Sequence, residues 1–203
     1  MNAHALRSRL RHWWQQEIRP ILILAVILFS IRSSLADWND VPSGSMQPTI
    51  LVGDRVLVNK VAYDLKVPFT TWHLAAWGNP LRGDIVVFYS PHDGTRLVKR
   101  VIGLPGETIS SRGDTVLING APIQEPWLPP LGPHSTSVGP VDCSQSAFDI
   151  PQTKIPANHY FMMGDCRGDS ADSRWWGTLP ASYVVGKVEV IVWRFGRPYF
   201  HGF

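Results

Sequence analysis

The chain has 203 residues, among them 17 glycines, 17 prolines and 9 tryptophans, and only 17% of its residues are charged. This composition favours a β-rich fold with many turns and argues against a helix bundle. Several of the positive charges behind the net charge of +3 belong to N-terminal arginines, and no basic helix or basic-aromatic stripe follows them. We therefore expect no nucleic-acid partner.

The first predicted element is an apolar helix near the N-terminus. Residues 20–31 (PILILAVILFSI) are apolar throughout, Trp13 and Trp14 stand where an interfacial belt lies, and arginines flank the run. The positive-inside rule places residues 1–17 in the cytoplasm, a single transmembrane anchor at 18–36 and an exported domain at 37–203. A cleavable signal peptide is the alternative, because SSLADW offers small residues.

After the anchor, short runs rich in Val and Ile alternate with turn residues, and no helical period is sustained. We therefore predict a mainly β domain. Asn119-Gly120 is its strongest hairpin signal. The predicted strands cover residues 49–61, 84–89, 96–102, 115–118, 159–163 and 184–193.

Two stretches interrupt this pattern. Residues 121–156 contain eight prolines, which deny them regular ladder hydrogen bonds, so we expect a long surface excursion. Residues 67–80 carry Phe69, Trp72, Leu74 and Trp77 with little charge. These side chains either dip into the lipid interface or cover the core, and the sequence does not favour one alternative.

The two cysteines, Cys143 and Cys166, both fall in the predicted exported domain. An oxidising compartment permits them to pair, but sequence does not show whether their Cα atoms come within bonding range. Without CxxC spacing or clustered histidines they do not make a metal-ligand set. We expect no metal and no cofactor.

The candidate chemistry starts at VPSGSMQP, where Ser43 and Ser45 are separated by one glycine. A serine hydroxyl is a poor nucleophile until a base takes its proton, and no histidine here has the partner motif of a Ser-His-Asp triad. Lys99 lies in the apolar run RLVKRVIG, where burial would lower its pKa and leave a neutral amine. Without further evidence, the simpler interpretation of Lys99 is a strand lysine whose aliphatic chain packs while its ammonium reaches water. The same interpretation applies to Lys60.

A third polar stretch is GDCRGDSADSRWWG, residues 164–177, directly after an apolar strand. In this order the three stretches resemble the motifs of the bacterial type I signal peptidases, also called leader peptidases. PSGSMQPTILVGDRVLVNK is similar to their nucleophile box, LVKRVIGLPGE to their lysine box and GDCRGDSADSRWWG to their last box. The resemblance implies a membrane-anchored antiparallel β catalytic domain that cleaves signal peptides from preproteins.

The resemblance also implies a role for each matching residue. Ser45 would be the nucleophile and Lys99 the general base, with the Ser43 hydroxyl and the Ser45 N–H forming the oxyanion hole. Val41, Val98 and Met46 would line substrate pockets for small residues before the cut. The supporting residues would be Ser170, which orients the lysine amine, and the ion pair of Asp172 and Arg174.

The implied location is the bacterial inner membrane, with one span, a cytoplasmic N-terminus and the catalytic domain outside. The implied partners are preprotein signal peptides and membrane lipids. Cys166 stands where the family usually has asparagine, and Gly168-Asp169 replaces an aspartate-asparagine pair, which puts the local bracing in question.

Three rival interpretations remain to be weighed. RGDS (Arg167 to Ser170) is an adhesion tetrapeptide, although short motifs recur by accident. A catalytically inactive, membrane-tethered β-domain binding module is the main alternative function. Other Ser/Lys enzymes fit less well, because a DNA-binding segment and a Ser-x-x-Lys arrangement are both missing.

Overall fold

The computed structural model describes residues 12–66, 73–113, 115–128, 143 and 149–203, with the backbone alone for residues 29–34. Its longest helix is α1 (Arg19–Ser34), which follows a π-helical turn at Trp14–Ile18. In this part of the chain, no helix combines the length and the apolar character that crossing a bilayer requires. The predicted transmembrane anchor is therefore not confirmed.

The remaining helices in the described residues are short. Helix α2 (Ser173–Trp176) has Asp172 as its N-cap, and two 3-10 turns lie at Arg167–Asp169 and Ala181–Tyr183. The strands are β1 (Ala36–Asp40), β2 (Arg55–Asn59), β3 (Asp64–Lys66), β4 (His73–Ala76), β5 (Ile85–Tyr89), β6 (Arg96–Gly103), β7 (Thr108–Arg112), β8 (Thr115–Ile118), β9 (Ala121–Pro122), β10 (Thr153–Lys154), β11 (His159–Met163), β12 (Leu179–Pro180), β13 (Val184–Arg194) and β14 (Arg197–Gly202).

The described strands pair antiparallel throughout, and the mainly β prediction is confirmed. The largest sheet has the order β1-β2-β13-β5-β6-β11-β12, and β14 pairs with β13 as well. A smaller sheet runs β10-β7-β8-β9, and β3 pairs with β4. Strands β5, β6 and β11 are neighbours at the centre of the large sheet. Strand β6 carries Lys99, and the last polar stretch follows β11.

The central strands are buried on both faces, which explains their nearly continuous apolar sequences. Side chains of β5 enter alternate clusters: Ile85 and Val87 pack with Val56 and Val188, whereas Val86 and Phe88 pack on the other face. Burying such side chains contributes about 1.5–3 kcal/mol each. The core therefore holds β6 rigidly from both sides.

Five of the six predicted strands are confirmed to within about two residues. The first prediction, 49–61, is wrong in its first half, because the strand begins only at Arg55 and residues 41–54 form a loop. The hairpin at Asn119-Gly120 is confirmed: φ is +53° at Asn119 and +82° at Gly120, and the turn joins β8 to β9.

The two interrupting stretches are described only in part. Of the Pro-rich residues 121–156, the described regular structure consists of β9 and β10, each two residues long. Leu74 and Trp77 are 63% and 58% exposed, so these two side chains do not cover the core. Phe69 and Trp72 lie outside the described residues.

Candidate active site

The candidate nucleophile lies in the loop of residues 41–54, which is closed at its base by backbone hydrogen bonds. The N–H of Val41 donates to the Asp54 carbonyl at 2.9 Å, and the N–H of Gly53 donates to the Val41 carbonyl at 2.9 Å. The Asp54 carboxylate also receives a bidentate pair from Arg194 of β13, at 2.9 and 2.6 Å. The loop is thereby fastened to the large sheet, and Ser45 is held within it.

Ser45 and Lys99 meet in the interior. The Lys99 Nζ donates a hydrogen bond to the Ser45 Oγ, and the two residues are only 3% and 8% exposed, lysine first. Strand β6 places Lys99 directly opposite Val86 of β5, inside the large sheet. Burial lowers the pKa of Lys99 to about 8, although the carboxylates of Asp172 and Asp165 act in the opposite direction.

The segment after β11 brings the last polar stretch against Ser45. The N–H of Cys166 donates to the Ser45 carbonyl at 3.1 Å. A Cβ on Gly164 would lie 2.4 Å from the Ser45 carbonyl oxygen and 2.3 Å from the Ser170 Oγ. Glycine is therefore required at 164 for this close approach. The Ser170 hydroxyl is buried, and no described residue is its hydrogen-bond partner.

Asp172 and Arg174 form the ion pair that the resemblance implies. Arg174 donates from Nε and Nη2 to the two Asp172 oxygens, at 2.7 and 2.8 Å. Asp172 is fully buried, and its Oδ2 also accepts the N–H of Gly164 at 2.9 Å. Ser173 accepts the N–H of Met162 at 2.9 Å, which ties the same turn to β11.

The predicted pocket residues come together in one apolar cluster. Val41 and Met46 are 4% and 1% exposed, and the partly buried Val98 packs against the cluster that contains them. Ser43, by contrast, is exposed. Val41 and Met46 thus lie within the loop that carries Ser45 and Val98 packs against their cluster, while the Ser43 side chain reaches solvent.

The structure answers two questions that the sequence left open: whether the two cysteines pair, and whether RGDS is an adhesion motif. Cys143 and Cys166 form a disulfide, with their Cα atoms 4.6 Å apart. Arg167, the first residue of RGDS, is 4% exposed and ion-paired with Glu125. The adhesion interpretation fails for a physical reason, because a buried, paired arginine is not presented to a receptor.

The model of the family described as signal peptidase, peptidase S26, matches residues 14–193. The chain belongs to this family. The signal peptidase I of Pseudomonas fluorescens is 36% identical to it over 201 residues, which cover 85% of this chain and 69% of that protein. The signal peptidase I of Leptolyngbya laminosa is 34% identical over 188 residues, with 89% and 80% covered.

A solved signal peptidase I structure from Enterococcus faecalis V583 has 34% sequence identity and a TM-score of 0.46; the match covers 56% of this chain and 99% of that one. Family membership makes the chain a peptidase of the signal peptidase type. It is therefore an enzyme, and the inactive binding module loses its support.

Sequence reasoning missed a second buried network in this signal peptidase family member. Arg100 donates to both oxygens of Asp165, at 2.8 and 2.6 Å, and Thr49 donates to Asp165 Oδ2 at 2.6 Å. The network joins the nucleophile loop, β6 and the residues after β11. The available signals were the position of Arg100 next to Lys99 and the position of Asp165 inside the last polar stretch.

Proposed function

We propose that this peptidase removes N-terminal signal peptides from exported preproteins, with Ser45 as nucleophile and Lys99 as general base. The observation that carries the proposal is the hydrogen bond between the Lys99 Nζ and the Ser45 Oγ. Within the described residues, no carboxylate forms an ion pair with Lys99, because Asp165 and Asp172 are paired with arginines, and burial outweighs their attraction and lowers the pKa of the amine.

In the proposed reaction, the neutral Lys99 amine accepts the Ser45 hydroxyl proton as Oγ attacks the scissile carbonyl carbon. The resulting ammonium gives this proton to the leaving amine, and the acyl group stays on Ser45. Lys99 then accepts a proton from water, which attacks the acyl carbonyl carbon, and the ammonium returns this proton to the Ser45 Oγ as the signal peptide leaves with a new C-terminal carboxyl group. With a pKa of about 8, Lys99 can hold and return a proton near neutral pH.

The negative charge on the carbonyl oxygen needs donors that act in the transition state. We assign this role to the N–H of Ser45 and to the hydroxyl of Ser43, whose exposed side chain leaves it free to turn toward bound substrate. Ser170 would orient the lysine amine, because its buried hydroxyl has no described partner and lies beside Gly164. Asp172 and Arg174 would hold Ser170 and Gly164 in place.

The proposed specificity is for small residues three and one before the cut, as in Ala-x-Ala. Val41, Val98 and Met46 are the residues that we expect to limit pocket size. Small pockets reject longer side chains because a well-packed wall cannot yield without strain. Larger residues at those substrate positions should therefore be cleaved more slowly.

We also propose attachment to the cytoplasmic membrane through α1, with residues 1–17 on the cytoplasmic side. The support is the exposure of its apolar side chains, including Ile21 at 64% and Leu24 at 56%. Changing Ile23→Asp together with Ile27→Asp should abolish flotation of the protein with anionic lipid vesicles. The control Leu81→Asp, at a loop position that is 65% exposed, should float like the parent; loss of flotation in both would contradict the assignment.

The test of the catalytic proposal is cleavage of a model preprotein by the purified full chain in detergent, with the cut mapped by mass spectrometry. Ser45→Ala and Lys99→Ala should each lower kcat by about 10⁴-fold or more. Ser43→Ala should cost about 10²–10³-fold.

Lys60→Ala is the matched control, because Lys60 has similar apolar flanks but is ion-paired with Asp37 at 3.4 Å. It should retain the parent rate. Parent-like cleavage by either the Ser45 or the Lys99 variant would show that the dyad is misassigned.

A further inference from the structure

The Pro-rich residues 121–156 contact the candidate active site at several points. The disulfide joins Cys143 to Cys166. Glu125 forms a two-oxygen ion pair with Arg167, and the two side chains are only 12% and 4% exposed. Trp127 stacks on Arg100, with the guanidinium carbon 5.0 Å from the ring centroid.

One of these contacts reaches a residue that is bonded to the Ser45 main chain, and a second reaches it through Gly164. Cys166 carries the disulfide on its side chain and donates its N–H to the Ser45 carbonyl. Arg167 carries the ion pair and donates from Nε to the Gly164 carbonyl at 2.9 Å. Gly164 in turn lies against the Ser45 carbonyl. Displacement of either contact would move the backbone that supports the nucleophile.

The rest of the last polar stretch is secured without this segment. Asp172, Arg174 and Ser173 hold its C-terminal half to β11 and to Gly164. The 3-10 turn at Arg167–Asp169 has less support of its own, since its N-cap Cys166 makes no side-chain capping bond. The contacts from the Pro-rich residues act on Cys166 and Arg167, between this turn and Asp165, which Arg100 and Thr49 hold; the bond to the Ser45 carbonyl comes from Cys166.

We propose that Cys143 and Glu125 are positioning residues, which clamp residues 164–167 against the Ser45 main chain and so keep its hydroxyl within reach of Lys99. The inference rests on the proposed Ser45–Lys99 function and extends it to a segment outside the three motifs. The catalytic rate depends steeply on the distance between the Ser45 hydroxyl and the Lys99 amine, so loosening the clamp lowers the rate even when the fold is retained. It also admits water to the lysine amine.

The disulfide can be cut chemically as well as by substitution. A dithiol transfers two electrons and two protons to the Cys143–Cys166 bond, which becomes two thiols while the dithiol closes to its own disulfide. In the clamp proposal this reduction lowers kcat. If the disulfide only stabilises the fold, it chiefly constrains the unfolded state, so its removal lowers stability and leaves the rate unchanged.

The experiment measures kcat, KM and their pH dependence for the full chain in detergent, in a double variant carrying Cys143→Ser and Cys166→Ser, and in Glu125→Gln. We expect kcat of the double variant to fall by about 10-fold with little change in KM. Its pH–rate profile should also shift, so that half-maximal kcat is reached at a higher pH than in the parent. Glu125→Gln should lower kcat and shift the pH profile in the same directions, but by smaller amounts. Asp172, Asp165, Arg174 and Asp169 are the charges that act on Lys99, and none of them is altered.

Dithiothreitol should reproduce the loss in the parent chain and have no further effect on the double variant. Glu107→Gln is the matched structural control, because it breaks the partly buried Arg82–Glu107 pair, which has no described contact with Ser45. It should lower stability without moving the pH profile. If the double variant behaves like Glu107→Gln, with parent kcat and pH profile, the clamp is wrong.

Hydrogen exchange of peptides from residues 41–54 provides a second readout that needs no activity. The clamp requires this loop to lose protection in the double variant and to keep it in Glu107→Gln; equal protection in both overturns the clamp. Failure of the proposed function has a different signature, because then Ser45→Ala cleaves as the parent does. The exchange result decides the clamp in either case.

Discussion

Lys99 and Arg100 are adjacent on β6, and both are almost fully buried, at 3% and 4% exposure. Their side chains point to opposite faces of the sheet. Arg100 donates from Nε and Nη2 to a buried carboxylate, that of Asp165, whereas Lys99 donates to the Ser45 hydroxyl. Arg100 is thus ion-paired with a buried carboxylate, whereas Lys99 has no ion-pair partner among the described residues and burial lowers its pKa to about 8.

The same substitution at the two positions should therefore have opposite effects on stability. Arg100→Met leaves Asp165 buried and without its cation, and we expect the free energy of unfolding to fall by about 3–5 kcal/mol. Denaturant unfolding in detergent, followed by tryptophan fluorescence, measures it. Adding Asp165→Leu should recover part of the loss, because an apolar pair of similar volume has no unpaired charge. A parent-like midpoint for Arg100→Met alone would remove the contrast.

Lys99→Met should instead stabilise the fold, by about 3 kcal/mol at pH 6. The folded-state pKa, about 8, lies below the ordinary value of 10.5, so the native state pays for holding a buried ammonium at all pH values below 8. As pH rises from 8 to 10.5, the native lysine loses its proton before the unfolded one, and the parent gains stability. The difference in free energy of unfolding between Lys99→Met and the parent should therefore be smaller at pH 9.5 than at pH 6. A gap that stays constant from pH 6 to 9.5 would contradict the burial argument.

Gly164→Ala sharpens the comparison on the Lys99 side. Gly164 follows Met163, the register partner of Arg100, so it lies beside Lys99. The added Cβ would collide with the Ser45 carbonyl, and we expect kcat/KM to fall by about 10–100-fold. Gly202→Ala is the control, because its Cβ would meet only one atom, at an ordinary 3.6 Å. Equal rates for both variants would mean that the loop adjusts without cost.

Local sequence pattern was enough to predict the central strands and the Asn119-Gly120 turn, because periodicity and turn chemistry act over a few residues. It failed at β14, whose residues are all exposed and so show no alternation, and at β1, which is polar and follows the helix directly. Residues 49–54 have the Ile, Leu and Val of a strand, but tertiary bonds to Asp54 shape them into a loop.

Within the candidate site, the residue types suggested a nucleophile and a base, and the family resemblance assigned them. The pairing of Arg100 with Asp165, 65 positions apart, was not accessible in the same way, nor was the approach of Cys143 to Cys166. Such long-range contacts depend on the register in which β6 and β11 pair. A single sequence carries no record of that register.

The last prediction is the pH dependence of cleavage. Lys99 must be neutral to accept the Ser45 proton, so kcat/KM should fall by about 10-fold for each pH unit below its pKa of about 8. Cleavage of a model preprotein between pH 5 and 9 measures the slope, with substrate charge held constant by an uncharged residue on each side of the cut. A flat profile over this range would mean that Lys99 is not the base, however well it is placed.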